Sequence, residues 1–162
     1  MGPAGAGKST VGRSLAGALG WRFTDADEFH SPANRARIAR GEPLSDAERA
    51  PWINVLRREI TASIARDQPM VLACSALRRA YREALLPSDG ARKRVCVVYL
   101  HVRAAELAHR LRTRVGHFAP AELLPSQLET LEEPAGDEGV LTLDGEQPVR
   151  ALVGQIRRSC GV

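Results

Sequence analysis

Gly2-Pro3-Ala4-Gly5-Ala6-Gly7-Lys8-Ser9 satisfies the spacing G-x-x-x-x-G-K-[ST], and Thr10 and an amphipathic helical pattern follow it directly. Glycines at this spacing let successive backbone N–H groups converge on phosphate oxygens, and the helix behind them adds its positive N-terminal end. The whole run from Gly2 to Thr10, including Pro3, Ala4, Gly5, Ala6 and Gly7, is therefore expected to hold a nucleotide. Lys8 is placed to bridge the β- and γ-phosphates, Ser9 to put its hydroxyl on Mg²⁺, and Thr10 to help hold the α-phosphate. ATP and Mg²⁺ are the implied ligands.

A loop of this kind normally leaves a buried strand of about five residues, and here only Met1 precedes Gly2. Such a strand is central in its sheet. Its loss would remove two hydrogen-bonded ladders and several buried side chains, each worth about 1.5–3 kcal/mol. The expectation is a sheet whose first strand is missing, as in a truncated or alternatively started form of a longer enzyme.

Downstream the pattern alternates helix and strand. Ser9–Leu19 places Val11, Leu15, Ala18 and Leu19 on one helical face, and Gly20 stops it. Trp21–Thr24 reads as a short strand. Trp52–Ala65 reads as a helix by the spacing of Trp52, Leu56, Ile60 and Ile64, with Pro51 in its first turn. Met70–Cys74 and Arg94–Val102 are apolar, β-branched runs of buried-strand type, and helices are expected over Ala76–Leu86 and Ala104–Arg114. Gly116–Glu133 carries mixed signals. A strand Gly139–Leu143 and an amphipathic helix Val149–Ser159 close the chain. The alternation predicts an α/β domain with a covered parallel sheet, one domain over residues 1–162.

Composition is ordinary for a globular chain: 44% apolar and 26% charged residues in 162, with no apolar run long enough to span a membrane. Cys74, Cys96 and Cys160 are an odd number at wide spacing with no signal sequence ahead of them, which fits reduced thiols in a cytoplasmic protein. The net charge of +4 comes from basic residues interleaved with acids, with two Trp and two Tyr for base stacking, so an anionic small substrate accounts for it without nucleic acid.

The strand Trp21–Thr24 runs into Asp25-Ala26-Asp27, two carboxylates at the carboxyl end of a strand, where α/β sheets bind ligands. Phosphoryl transfer to an alcohol needs one group to orient the hydroxyl and take its proton and another to hold the metal, directly or through water. Asp27 suits the first role and Asp25 the second. The competing use of either is as a helix N-cap for the segment starting near Glu28. Phe29-His30-Ser31-Pro32-Ala33-Asn34-Arg35 and the later arginines 49, 78, 79 and 82 offer donors to an anionic, polyhydroxylated acceptor.

With Asp25-Ala26-Asp27-Glu28-Phe29-His30, Gly41-Glu42-Pro43-Leu44-Ser45-Asp46, Arg49-Ala50-Pro51-Trp52 and Cys74-Ser75-Ala76-Leu77-Arg78-Arg79-Ala80-Tyr81-Arg82 added to the phosphate loop, the chain resembles the gluconokinases of the shikimate-kinase-like group over nearly its whole length. Gly116-His117-Phe118 and Gln127-Leu128-Glu129-Thr130-Leu131-Glu132-Glu133-Pro134 look like that family's lid, about residues 110–133, and its trailing helix. The resemblance implies a three-layer P-loop kinase with strand order 2-3-1-4-5, a dimer, that makes 6-phosphogluconate from ATP and D-gluconate. It further implies Asp27, His30, Arg35, Arg49, Arg82, His117 and Gln127 in the gluconate pocket, Arg110 and Arg114 closing over the phosphates, and the loop Asp144–Pro148 against adenine. Three features depart from the family pattern: the absent first strand, Pro32 one place late, and Leu128 where an aromatic is common. Of these, the strand alone bears on activity. A shikimate kinase, an inactive nucleotide-binding isoform and, last, a nucleic-acid binder are the rival readings.

Overall fold

The computed structural model describes residues 1–87, 89–113 and 121–162. Among the described residues four strands carry the layout: β1 (Arg22–Asp25), β2 (Met70–Ala73), β3 (Val98–His101) and β4 (Leu141–Asp144). β1 and β2 pair in parallel, Arg22 opposite Met70 through Asp25 opposite Ala73, and β3 and β4 pair in parallel from Val98 opposite Leu141 to His101 opposite Asp144. Between β2 and β3 the sheet is open, and among the described residues Met1 and Gly2 bridge it. The Met1 amino group donates to the Val98 carbonyl. The Leu100 N–H donates to the Met1 carbonyl at 3.0 Å, and the Gly2 N–H to the Ser75 carbonyl at 3.1 Å. The described strands thus follow the expected order with its central position open, and an apolar cavity of about 380 Å³ lies there, lined in part by Val71, Leu72, Val98, Leu100 and Ile156.

Helices cover both faces. Val11 and Leu15 of α1 (Lys8–Leu19), Leu107 and Leu111 of α5 (Ala104–Thr113), and Leu152, Val153 and Ile156 of α7 (Val149–Cys160) share one core with Leu100 and Leu143. Trp52, Leu56 and Ile60 of α3 (Asp46–Ala65) and Tyr81 and Leu85 of α4 (Arg79–Leu85) form the other. β2 feeds both: Val71 packs on the first cluster, Met70 and Leu72 on the second, as the two-residue period of a strand requires.

Several boundaries differ from expectation, each for a local reason. α3 starts six residues before Trp52, at Asp46, because Ser45 and Glu48 close a capping box: the Glu48 N–H donates to Ser45 Oγ at 3.3 Å and the Ser45 N–H to Glu48 Oε2 at 2.8 Å. Pro51 consequently lies inside the helix, on its exposed side. β3 takes up only Val98–His101 of the expected run: Arg94 closes the 3₁₀ turn of residues 89–94, and residues 95–97 are irregular. Helix α2 (Pro32–Ala39), not anticipated, is started by Ser31, whose Oγ accepts the Asn34 N–H at 3.2 Å. In the described part of the mixed segment a 3₁₀ turn (Ala121–Leu123) leads into α6 (Leu124–Thr130). The expectation of reduced thiols holds for buried Cys74 alone, since Cys96 and Cys160 form a disulfide. The residue leading into β3 and the last residue of α7 meet at one end of the sheet, 6.0 Å apart between Cα atoms although 64 apart in sequence.

Candidate active site

The phosphate loop leads straight into α1 through Gly7, whose φ of +89° suits a residue without Cβ. Its first helical residues are therefore Lys8, Ser9 and Thr10, with no acidic residue in that turn to compete for an anion. Lys8 Nζ donates to the Pro3 carbonyl at 2.9 Å, which folds the ammonium back over the loop. The Ala4 N–H donates to Gln127 Oε1 at 2.7 Å, so α6 is tied to the loop by one of the residues expected in the acceptor pocket.

The two carboxylates stand beside this loop on the turn after β1. Ser9 Oγ donates to Asp25 Oδ2 at 2.8 Å. Asp25 Oδ1 accepts the Asp27 N–H at 3.2 Å and so caps the 3₁₀ turn Ala26–Phe29. Of the two uses weighed for Asp25, the cap is realised through Oδ1, while Oδ2 accepts from Ser9 Oγ. Asp27 is not a cap. Burial, opposed by the nearby Lys8 charge, pushes its carboxyl above the ordinary range.

His30 ends the turn, 8% exposed, with its ring stacked on the Trp52 indole at a centroid distance of 4.4 Å and an interplanar angle of 10°. Burial, reinforced by Arg49 and Arg35, lowers its pKa to about 4, so the ring is neutral near pH 7. Its Nδ1 is buried and meets no partner among the described residues. Arg49 Nε donates to the Leu44 carbonyl at 3.2 Å, and the guanidinium stands 5.7 Å from the Tyr81 ring centre.

One cavity of about 110 Å³ is lined by Lys8, Ser9, Asp25, Asp27, His30, Arg49 and Gln127, together with Trp52 and Glu42, which were not among the expected site residues. Trp52 reads in the sequence as core, because its spacing with Leu56 and Ile60 is a helix-packing signal. Arg35 is exposed on α2 and acts on this group through its charge on Asp27 and His30. Arg110 reaches the loop from α5: its guanidinium donates to the Gly5 carbonyl at 3.4 Å and the Gly145 carbonyl at 3.2 Å, with Glu106 at 2.8 Å on Nε. It thereby joins the phosphate loop to the segment after β4, where adenine is expected.

Arg82 is not brought to this cavity. Its side chain is 3% exposed, and Nε and Nη2 hold Glu138 at 2.6 and 2.8 Å. Nη1 donates to the carbonyls of Ala76, Leu77 and Glu132. With its donors engaged, the side chain ties α4 to the segment before β4. Arg114 and His117, and with them the lid sequence Gly116-His117-Phe118, lie outside the described residues.

A glycine-rich loop opening a helix, with a carboxylate-bearing turn at the carboxyl end of the adjoining strand, defines a phosphotransferase of the P-loop class. The shikimate kinase family model matches residues 4–121. A gluconokinase of Gluconobacter oxydans (strain 621H) is 45% identical over 147 residues, 91% of this chain and 81% of the relative. The thermoresistant gluconokinase of Escherichia coli K12 is 36% identical over 154 residues, 94% of this chain and 86% of the relative. Among solved structures, a gluconokinase from Sinorhizobium meliloti 1021 superposes with a TM-score of 0.84 at 36% identity, covering 99% of this chain and 89% of that one. An unliganded sugar kinase from a Janibacter species gives a TM-score of 0.87 at 37% identity, with 98% and 90% covered. The chain belongs to the gluconokinases, within the shikimate-kinase-like family of ATP-dependent kinases.

Proposed function

We propose that this chain transfers the γ-phosphate of ATP to a hydroxyl of D-gluconate, giving ADP and 6-phospho-D-gluconate. The observation that carries the reading is the single cavity onto which Lys8 and Ser9 of the phosphate loop and Asp27, His30, Arg49 and Gln127 of the acceptor side all open. In this reading the acceptor hydroxyl oxygen bonds to the γ-phosphorus and the bond to the β–γ bridging oxygen breaks. ADP leaves with that electron pair, and the hydroxyl proton goes to the Asp27 carboxylate. A carboxyl with a raised pKa is the better proton acceptor, and burial supplies that rise.

The backbone of Gly2–Thr10 holds the phosphates, with Lys8 and Arg110 adding positive charge. Ser9 Oγ and Asp25 form a pair of hard oxygen donors that suits Mg²⁺, which keeps most of its shell for water and phosphate oxygens. Bound there, the metal neutralises charge on the transferring group. His30, Arg35, Arg49 and Gln127 bind the acceptor, Arg49 and Arg35 matching its carboxylate. Arg114, closing over the phosphates, and His117, in the gluconate pocket, keep the roles that the resemblance implies. The reading carries with it a single domain over residues 1–162 and a cytoplasmic homodimer, which limited proteolysis, fractionation and sedimentation read directly.

The test is ADP release in a coupled assay with Mg·ATP and an acceptor panel, on the wild type and on Lys8→Ala. Gluconate-dependent release lost in Lys8→Ala is expected. Turnover of shikimate without turnover of gluconate would overturn the choice of acceptor.

A further inference from the structure

Trp52 touches both ends of the turn that presents the acceptor side. Its Nε1 donates to the Ala26 carbonyl at 2.7 Å in a buried contact, and the face of its ring lies on His30 at 4.4 Å, nearly parallel. Ala26 is fully buried, and Asp27 follows it. The residue between these two anchors that carries the proposed proton transfer therefore has its backbone held by an indole on α3, 26 residues along the chain from Ala26. The stack leaves Nδ1 of His30 buried and without a partner among the described residues, on a side chain that lines the same cavity as Asp27 and Lys8. A buried ring nitrogen left open in this way costs free energy unless a ligand completes it. Hydroxyl groups, which both donate and accept, are the ligand groups that complete a neutral imidazole.

We infer that Trp52 is a positioning residue that clamps the Ala26–His30 turn, holding His30 as a neutral hydrogen-bonding partner for a hydroxyl of a polyhydroxylated acid acceptor. This rests on the acceptor class proposed above and assigns its recognition: the arginines read the carboxylate, and His30, set by Trp52, reads a hydroxyl. The charged groups around the imidazole are Asp25, Asp27, Glu42, Arg49 and Lys8 on the shared cavity and Arg35 on α2. The two arginines and the burial keep it uncharged, so it does not compete with them for the carboxylate.

The experiment compares wild type, Trp52→Phe, Trp52→Leu, His30→Phe and the doubles at positions 52 and 30. It measures kcat and KM for acceptor and for ATP separately, and the His30 imidazole titration by NMR on the whole protein. Trp52→Phe keeps a stacking ring and removes the Ala26 bond, and Trp52→Leu removes both. We expect acceptor kcat/KM to fall about tenfold or more in the Trp52 variants and in His30→Phe, with KM for ATP little changed. We expect the doubles to lose no more than the worse single, the signature of one coupled unit. In Trp52→Leu the imidazole titration should rise from about 4 toward the ordinary 6.5. Additive losses, an equal rise in both KM values, or an unmoved titration would each overturn the clamp. Trp52→Phe carries the test if Trp52→Leu does not fold. A wild type that ignores gluconate while the titration moves as expected defeats the acceptor reading and leaves the clamp standing.

Discussion

Replacing Arg82 by methionine separates a structural role for this side chain from the acceptor contact that the family resemblance implies. The substitution keeps much of the volume and removes every donor. It leaves the Glu138 carboxylate, which the Arg82 hydrogen bond holds down at about 2, and the Ala76, Leu77 and Glu132 carbonyls without their partner. Breaking a buried ion pair costs roughly 3–5 kcal/mol. The Glu138 side chain is only 6% exposed, but the stranded carboxylate can relieve its charge by taking up a proton, so we take the lower end, about 3 kcal/mol. That is a large share of the roughly 5–15 kcal/mol available to a domain. For a chain of this size about 2–4 °C of Tm follows each kcal/mol, so the expected drop is about 6–12 °C. Calorimetry near neutral pH reads it, and steady-state kinetics at room temperature should find KM for gluconate within about a factor of two of wild type. Converting Glu138 to leucine in the same protein should restore part of the Tm, because an apolar pair has no stranded charge. The folded pKa of Glu138 lies below its ordinary 4.5, so its stabilisation is present above that value and is lost as pH falls toward about 2. The gap between wild type and variant should close over that window. An unmoved Tm with a raised KM for gluconate would refute the reasoning and put Arg82 in the acceptor pocket.

Other expectations follow from single contacts. Gly145→Ala would place a Cβ 2.6 Å from Val102 Cγ2 and 3.1 Å from the His101 carbonyl oxygen. It should cost about 1–3 kcal/mol in a denaturant titration, and because Arg110 holds the Gly145 carbonyl it should also raise KM for ATP. Ser45→Ala removes the capping box of α3 and should lower stability by about 1 kcal/mol, read as a shift in urea midpoint with an unchanged slope. His30 is held neutral with its pKa depressed to about 4, so the unfolded chain binds the extra proton first on acidification. Stability should therefore fall between about pH 6.5 and about pH 4, and urea midpoints of His30→Phe should fall less steeply over the same window.

The amino-acid sequence by itself determined the elements whose cause is local. The phosphate loop follows from glycine spacing, α1 and α7 from apolar period, and β2 from a short apolar run, and the structure places them within a residue or two of expectation. Ser9 and Asp25, expected from the sequence on one metal, do come within hydrogen-bond distance of each other, because each stands at the end of its own element. Tertiary structure alone decided the rest. Whether an arginine meets a substrate or a buried glutamate depends on what lies opposite it, and Arg82 found Glu138 from 56 residues away. Trp52 looked like core because helical spacing reports which face is buried and says nothing of a neighbour 26 residues earlier whose carbonyl its indole N–H would reach. Likewise the cysteine count could not show that residues 96 and 160 meet. Side-chain partnership at long range is set by how the layers stack, and a linear pattern of polarity carries only the period of each layer.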